Sequence, residues 1–111
     1  MKTRIGIAAL LLFCMASLAR AAEFEIICRK SFYTPNQITV KKGEKVKLSL
    51  KSMDVPHGFA IDELNIATEV APGPPVVVEF TPTRAGKFEF YCVVRCGKDH
   101  LKMRGTLIVE D

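Results

Sequence analysis

Residues 45–51 read KVKLSLK, and apolar and polar side chains alternate strictly along this stretch. A period of two is typical of a β-strand that buries one face and exposes the other. The exposed face is basic, because it carries Lys45, Lys47 and Lys51. Such a face is most simply a solvated surface, and a docking patch is the alternative.

Similar short extended segments lie on both sides of this strand. They are predicted at 23–30, 38–40, 59–61, 66–70, 76–81, 87–92 and 105–110. Glycine and proline turns separate them, and no helical period or internal repeat is found. Seven or so short strands in one small domain predict an all-β fold, a Greek-key β-sandwich. Cys28, Phe59, Phe88 and Phe90 are expected in its core.

The first residues predict an export signal. Lys2 and Arg4 precede an apolar run at 5–18, and Ala19-Arg20-Ala21 has the small residues that a signal peptidase needs. We therefore expect residues 1–21 to be a signal peptide and residues 22–111 to be one periplasmic domain. Because the apolar run is shorter than the about 20 residues of a membrane span, no stable insertion is expected after cleavage. An uncleaved N-terminal anchor is the alternative.

Removal of this leader changes the charge and the cysteine count. The sequence has 16 Lys and Arg against 12 Asp and Glu, and three of the basic residues lie in the leader, which leaves a net charge of +1. This balance gives no support for nucleic acid as a partner. Three cysteines remain: Cys28, Cys92 and Cys96. An odd number in an oxidising compartment argues against a simple disulfide framework.

Four sulfur or imidazole side chains lie close together near the C-terminus. The stretch 92–103, CVVRCGKDHLKM, contains Cys92, Cys96, His100 and Met103. The residues 97–99, GKD, indicate that the strand ends here, and a curled loop brings side chains four residues apart to within about 6 Å. Thiolate, imidazole and thioether together favour copper, whereas structural zinc prefers Cys and His without Met. We therefore predict a copper site.

A further ligand is expected from a distant part of the chain. His57 lies in 54–59, DVPHGF, where Pro56 stiffens the backbone and Gly58 permits a close approach. Because loops gather at the ends of a Greek-key sandwich, His57 is expected to meet the C-terminal loop across the two sheets. The candidates for orienting the imidazoles by hydrogen bonds are Asp54, Asp62 and Asp99.

These segments resemble a known family. The stretch CVVRCGKDHLKM is similar to the C-x-x-x-C-x-x-x-H-x-x-M signature of the CuA domain in subunit II of cytochrome c oxidases and in nitrous oxide reductase. The stretch DVPHGFAIDELNI resembles the segment with that family's upstream histidine, and VKKGEKVKL, APGPPVVVEFTPTRAGKFEFYC and RGTLIVED match its strands. The resemblance covers nearly all of residues 22–111 and implies a cupredoxin-like fold.

The resemblance also implies a set of ligands and partners. Two copper ions would be bridged by Cys92 and Cys96, with His57 and His100 on one copper each, Met103 as a weak axial ligand and the Val94 carbonyl as the sixth donor. It implies an electron carrier that is not an enzyme on its own, or the electron-accepting module of a cytochrome c oxidase-type complex. The implied partners are a periplasmic c-type cytochrome and terminal oxidase subunits.

Three alternatives to a CuA electron carrier remain open from the sequence. A mononuclear blue-copper site needs only one thiolate and would leave the second cysteine without a role. A copper delivery or storage protein for oxidase assembly could use the same ligands. A thiol-disulfide protein is a third alternative, but Cys92 and Cys96 are not in a C-x-x-C arrangement and no βαβ unit surrounds them.

Overall fold

A computed structural model of the protein describes residues 21–94 and 100–111, and of His100 it describes the backbone alone. The described residues form nine strands: β1 Ala22–Arg29, β2 Phe32–Thr34, β3 Gln37–Lys41, β4 Val46–Ser52, β5 His57–Ile61, β6 Ile66–Val70, β7 Val76–Phe80, β8 Gly86–Tyr91 and β9 Arg104–Glu110. Two 3-10 turns, Asp62–Leu64 and His100–Lys102, join them. In these two ranges, no helix is long and apolar enough to cross a membrane.

The strands form two sheets that pack face to face. One sheet has the order β2-β1-β4-β7 and the other the order β3-β9-β8-β5-β6. Two pairs are parallel, β1 with β4 and β3 with β9, and the other pairs are antiparallel. The predicted all-β sandwich is confirmed. Every predicted strand is present, and the sequence pattern missed only β2, which has three residues and is too short to show a period.

The outer face of β4 carries compensated charge. In the strand register, Lys47 lies between Glu23 of β1 and Glu79 of β7. Lys45 also forms an ion pair with Glu79, with Nζ and Oε2 3.4 Å apart. Opposite charges on neighbouring strands are a favourable cross-strand arrangement. The basic stripe seen in the sequence is therefore part of a mixed, solvated surface, which favours the simpler of the two interpretations.

The core lies between the sheets and is built around three aromatic rings. Tyr33, Phe59 and Phe90 pack with centroids 5.0 to 6.0 Å apart, and Tyr33 meets both phenylalanines edge-on. Tyr33 belongs to β2 of one sheet, and the two phenylalanines belong to the other. The predicted core residues Cys28, Phe59, Phe88 and Phe90 are all buried.

The strands that carry the candidate ligands are neighbours in the five-stranded sheet. Ala60 of β5 pairs with Tyr91 of β8, so His57 at the start of β5 lies beside the residues that follow β8. The expectation that His57 meets the C-terminal loop across the two sheets is wrong, because both belong to the same sheet. Strand order depends on pairing between distant segments, which periodicity does not encode.

Candidate metal centre

His57 is completely buried although it is polar. Its Nε2 lies 2.6 Å from Oδ1 of Asp54. Its Nδ1 is buried and makes no hydrogen bond with any residue in the described part of the chain. An unsatisfied buried nitrogen costs about 1–3 kcal/mol, so such atoms are rare without a functional reason. A ring with one nitrogen held and the other available is the arrangement expected of a metal-binding histidine.

Asp54 accepts hydrogen bonds from three directions. Its Oδ2 accepts from the Lys30 backbone N–H at 2.9 Å, and its Oδ1 accepts from the Val55 backbone N–H at 2.7 Å and from His57. Burial raises the pKa of this carboxyl, but the hydrogen bonds from Lys30, His57 and Val55 outweigh that effect and lower the pKa to about 2. Asp54 is therefore ionised at neutral pH, which assigns the shared proton to Nε2 of His57.

The loop before His57 is held by its own side chains. The hydroxyl of Ser52 donates to the Val55 carbonyl, with 2.5 Å between the oxygens, and accepts from the Asp54 N–H at 3.3 Å. Serine and aspartate side chains stabilise tight turns by bonding to nearby backbone groups. The segment 53–56 is thus a compact turn that carries Asp54 toward the imidazole.

Gly58 brings β5 into contact with the residues after β8. Its N–H donates to Sγ of Cys92 at 3.3 Å. A Cβ atom on Gly58 would lie 2.4 Å from Cγ2 of Val93 and 2.5 Å from the Val93 nitrogen. No other residue fits at this position without displacing the backbone of Val93 and Val94. The close approach that the sequence suggested for Gly58 is present.

Cys92 lies beside two other candidate donors. Its thiol donates to the Val94 carbonyl at 2.8 Å, and its N–H donates to the Met103 carbonyl at 3.2 Å. Cys92 is 4% exposed and Met103 is completely buried. The structure therefore brings four of the six predicted ligand residues to one end of the five-stranded sheet: His57, Cys92, Val94 and Met103.

The other two predicted ligands are described less fully. Cys96 lies outside the described residues, as does Asp99. His100 begins the turn His100–Lys102, which leads directly to Met103, but its side chain is not among the described atoms. The role of Cys96 and His100 as ligands stays a prediction, as does that of the other four residues.

The described donors suit copper. Between residues 21 and 94 and from 100 onward, no three His, Cys, Asp or Glu side chains cluster as a metal site. The candidate donors in these ranges are Nδ1 of His57, the thiol of Cys92, the thioether of Met103 and the carbonyl oxygen of Val94. Sulfur and imidazole donors favour copper, whereas magnesium and calcium prefer oxygen. The buried, unpartnered Nδ1 of His57 fits a metal in this position.

A second polar cluster lies on the outer face beside the site. Tyr91 donates its hydroxyl proton to Oδ1 of Asp62 at 2.7 Å, and this hydrogen bond raises the pKa of Tyr91. Arg104 lies over the Tyr91 ring, pairs with Glu89, and donates to the Leu101 carbonyl at 3.0 Å. Asp62 was a candidate for orienting an imidazole, and among the described side chains it orients Tyr91.

Tyr33 is a site residue that the sequence pattern did not single out. Its hydroxyl donates to the Gly58 carbonyl at 2.7 Å from the opposite sheet. No local motif marks such a residue, because it lies 25 positions from Gly58 in the chain.

A family model for a cupredoxin-like domain matches residues 4–109. The chain belongs to the cupredoxin-like family. Among the relatives of this cupredoxin is cytochrome c oxidase subunit 2 of Thermus thermophilus, which is 38% identical over 79 residues, 71% of this chain and 58% of that protein. Nitrous-oxide reductase of Cupriavidus necator is 33% identical over 95 residues, 82% of this chain and 15% of the reductase. The resemblance drawn from the sequence motifs is confirmed.

Solved structures agree with this assignment. The periplasmic domain of subunit II of the cytochrome oxidase of Bradyrhizobium japonicum matches the cupredoxin with a TM-score of 0.75 and 20% identity, over 85% of this chain and 88% of that domain. At this identity, the likeness establishes the fold. The chain spans less than two thirds of the length of both relatives named above.

Proposed function

We propose that this cupredoxin binds copper and carries single electrons in the periplasm. The observation that carries the proposal is the completely buried His57, whose Nδ1 has no hydrogen-bond partner among the described residues. The next residue, Gly58, donates to the sulfur of Cys92. The relationship to cytochrome oxidase subunit 2 and nitrous-oxide reductase supports the same function.

The proposed centre is of the dinuclear CuA type and holds two copper ions. Its ligands are the side chains of His57, Cys92, Cys96, His100 and Met103 and the carbonyl of Val94. Two cysteines in one ligand loop favour this centre over a mononuclear one, since a mononuclear site uses a single thiolate.

Bound copper would supply one-electron chemistry at the site. The residues of the chain prepare the site for it in three ways. Burial of His57, Cys92 and Met103 limits the access of water to these three donors. The Gly58 N–H stabilises negative charge on the Cys92 sulfur, and the packed sandwich holds the donors in place. With every position filled by protein donors, no open position remains for a substrate, so the protein carries electrons and is not an enzyme on its own.

Export and partners belong to the same proposal. Residues 1–21 act as a signal peptide and residues 22–111 form the periplasmic domain. The partners are a c-type cytochrome and the subunits of a terminal oxidase, which this domain serves as the electron-accepting module. The matching oxidase domain from Bradyrhizobium japonicum is periplasmic, which supports this location.

Copper titration of the purified, metal-free protein tests the proposal. We expect an end point of two copper ions per chain and an electron-spin spectrum in which one unpaired electron couples to two copper nuclei. An end point of one ion with an intense blue colour would instead show a mononuclear site. Binding of Cu(I) alone, with no stable oxidised form, would show a delivery or storage protein.

The ligand assignment has its own test. Cys96→Ser is expected to abolish the two-nucleus spectrum, and His100→Ala to alter it. Cys28→Ala is the matched control, because Cys28 is a buried cysteine in the core and not a proposed ligand. An unchanged spectrum in Cys96→Ser would contradict the assignment.

A further inference from the structure

We infer that Asp54 is a positioning residue for the copper centre: its carboxylate holds His57 in the tautomer and orientation that leave Nδ1 for the metal. The inference rests on the proposed function and adds a residue outside the ligand set. Its basis is the pair of observations on one buried ring, with Nε2 2.6 Å from Asp54 and Nδ1 without a partner in the described chain.

The carboxylate is itself held from two sides. The Lys30 N–H, in the turn between β1 and β2, binds Oδ2 at 2.9 Å, and the Val55 N–H binds Oδ1 at 2.7 Å. Ser52 accepts from the backbone N–H of Asp54 and closes the turn. Asp54 is therefore a fixed acceptor that does not need to reorganise when the imidazole bonds to it.

The backbone on the other side of the imidazole is also fixed. The carbonyl of Gly58 accepts from the Tyr33 hydroxyl, and the N–H of Gly58 donates to Cys92. With the backbone held, rotation of the ring and movement of its proton are the freedoms that remain. The hydrogen bond to Asp54 removes both, since a rotated ring loses this bond.

The alternative tautomer is disfavoured for a simple electrostatic reason. With its proton on Nδ1, the ring would face the carboxylate through an unprotonated Nε2, so two acceptors would lie 2.6 Å apart. The same tautomer would block Nδ1 from binding a metal. Partners of this kind typically change metal affinity by about 10-fold to 100-fold when they are removed.

The experiment compares the full-length protein with Asp54→Ala, Asp54→Asn and Asp62→Asn. Nitrogen-detected NMR of the metal-free protein reads the His57 tautomer, and competition titration reads the copper affinity. We expect the parent to carry its proton on Nε2. Asp54→Ala should populate both tautomers and bind copper about 10-fold to 100-fold more weakly. Asp54→Asn should show a tautomer population and a copper affinity between those of the parent and Asp54→Ala. Its amide oxygen still accepts a hydrogen bond but carries no negative charge.

Asp62→Asn is the matched control, since Asp62 accepts a hydrogen bond from Tyr91 on the outer face. It should behave as the parent in both measurements. If Asp54→Ala loses stability but keeps the parent's tautomer and affinity, Asp54 is merely structural and the inference is wrong. Should Asp54→Ala not fold, Asp54→Asn decides by the same two readouts. A parent that binds no copper would overturn the proposed function, and the tautomers of the metal-free proteins would then decide the role of Asp54 separately.

Discussion

The Nε2 nitrogen of His57 is hydrogen-bonded to Asp54, whereas its Nδ1 nitrogen has no hydrogen-bond partner among the described residues. At the scale of single residues, this asymmetry is what we expect of a metal-binding histidine, and it differs from a core histidine with both nitrogens hydrogen-bonded. Asp54 was one of three aspartates that the sequence offered as partners for imidazoles. Sequence spacing could not choose among them, because the choice depends on a turn that Ser52 and Lys30 close from outside the motif.

Asp54→Asn should lower the stability of the metal-free protein at neutral pH by about 1–2 kcal/mol, a figure reduced for the partial exposure of the side chain. The pKa of Asp54 falls from 3.8 to about 2 on folding, so the unfolded chain binds more protons between these values. The contribution is therefore complete above about pH 4 and is lost as the pH falls to about 2. Urea unfolding of parent and variant from neutral to acid pH measures it.

Ser52→Ala is the control for this pH dependence. It removes hydrogen bonds from the same turn but no carboxylate. Its stability should fall by a similar amount at every pH. If the gap between parent and Asp54→Asn does not narrow in acid, the hydrogen bonds of Asp54 are not the cause.

Gly58→Ala tests the close approach at the site. The added Cβ would lie 2.4 to 2.8 Å from atoms of Val93 and Val94, including both backbone nitrogens. The backbone of these two residues must therefore move. We expect a loss of about 1–3 kcal/mol in the free energy of unfolding, as for other overpacked positions. Glu69→Ala is the control, because Glu69 is the exposed register partner of Gly58 on β6 and should cost less than about 0.5 kcal/mol. Equal free energies of unfolding for the two variants would show that the backbone at Val93 and Val94 accommodates the added methyl group without loss of stability.

At the scale of elements, the site depends on strands that are far apart in sequence. The beginning of β5, the end of β8 and the beginning of β9 meet at one end of the five-stranded sheet. The short strand β2 reaches this end from the opposite sheet through Tyr33. The strands themselves were predictable from alternation, whereas β2 and its contact were not, since three residues carry too little pattern.

Tyr33→Phe tests the contact between the sheets. The change keeps the aromatic ring in the core but removes the hydrogen bond to the buried Gly58 carbonyl. A loss of about 0.5–1.5 kcal/mol is expected in urea unfolding. Tyr91→Phe serves as the matched control, because its hydroxyl bonds at the exposed surface and should contribute less. Similar losses for both variants would argue against a special role for the Tyr33 hydroxyl.

At the scale of the whole molecule, the two packed sheets form a small domain with compensated surface charge on β4. A domain of this size has little stability to spare, so a bound metal is expected to have a large effect. The expected stabilisation comes from tighter binding to the folded state, because only folding adds His57 to the proposed ligands near the C-terminus.

Copper should therefore raise the midpoint of thermal unfolding. At a free concentration about 1,000 times the dissociation constant, the gain is about 4 kcal/mol. For a domain of this size, each kcal/mol corresponds to roughly 4–8 °C in the midpoint. Calorimetry with copper, and then with a chelator, measures the rise and its reversal. His57→Ala should show little of the rise, and a full rise in that variant would place the copper elsewhere.

Alternation along 45–51 and its neighbours was enough to predict the strands, the sandwich and the buried aromatic residues, because that signal lies in adjacent residues. The candidate ligand types also come from the sequence, since residues 92–103 contain two thiols, an imidazole and a thioether. Only the tertiary structure decided that β5 lies next to β8, that Gly58, the neighbour of His57, therefore contacts Cys92, and that Asp54 forms the hydrogen bond to Nε2 of His57. The physical reason is that strand order and the hydrogen bonds that fix the site, from Lys30 to Asp54, from Tyr33 to Gly58 and from Gly58 to Cys92, join residues more than 20 positions apart, and no local period records which of them will meet.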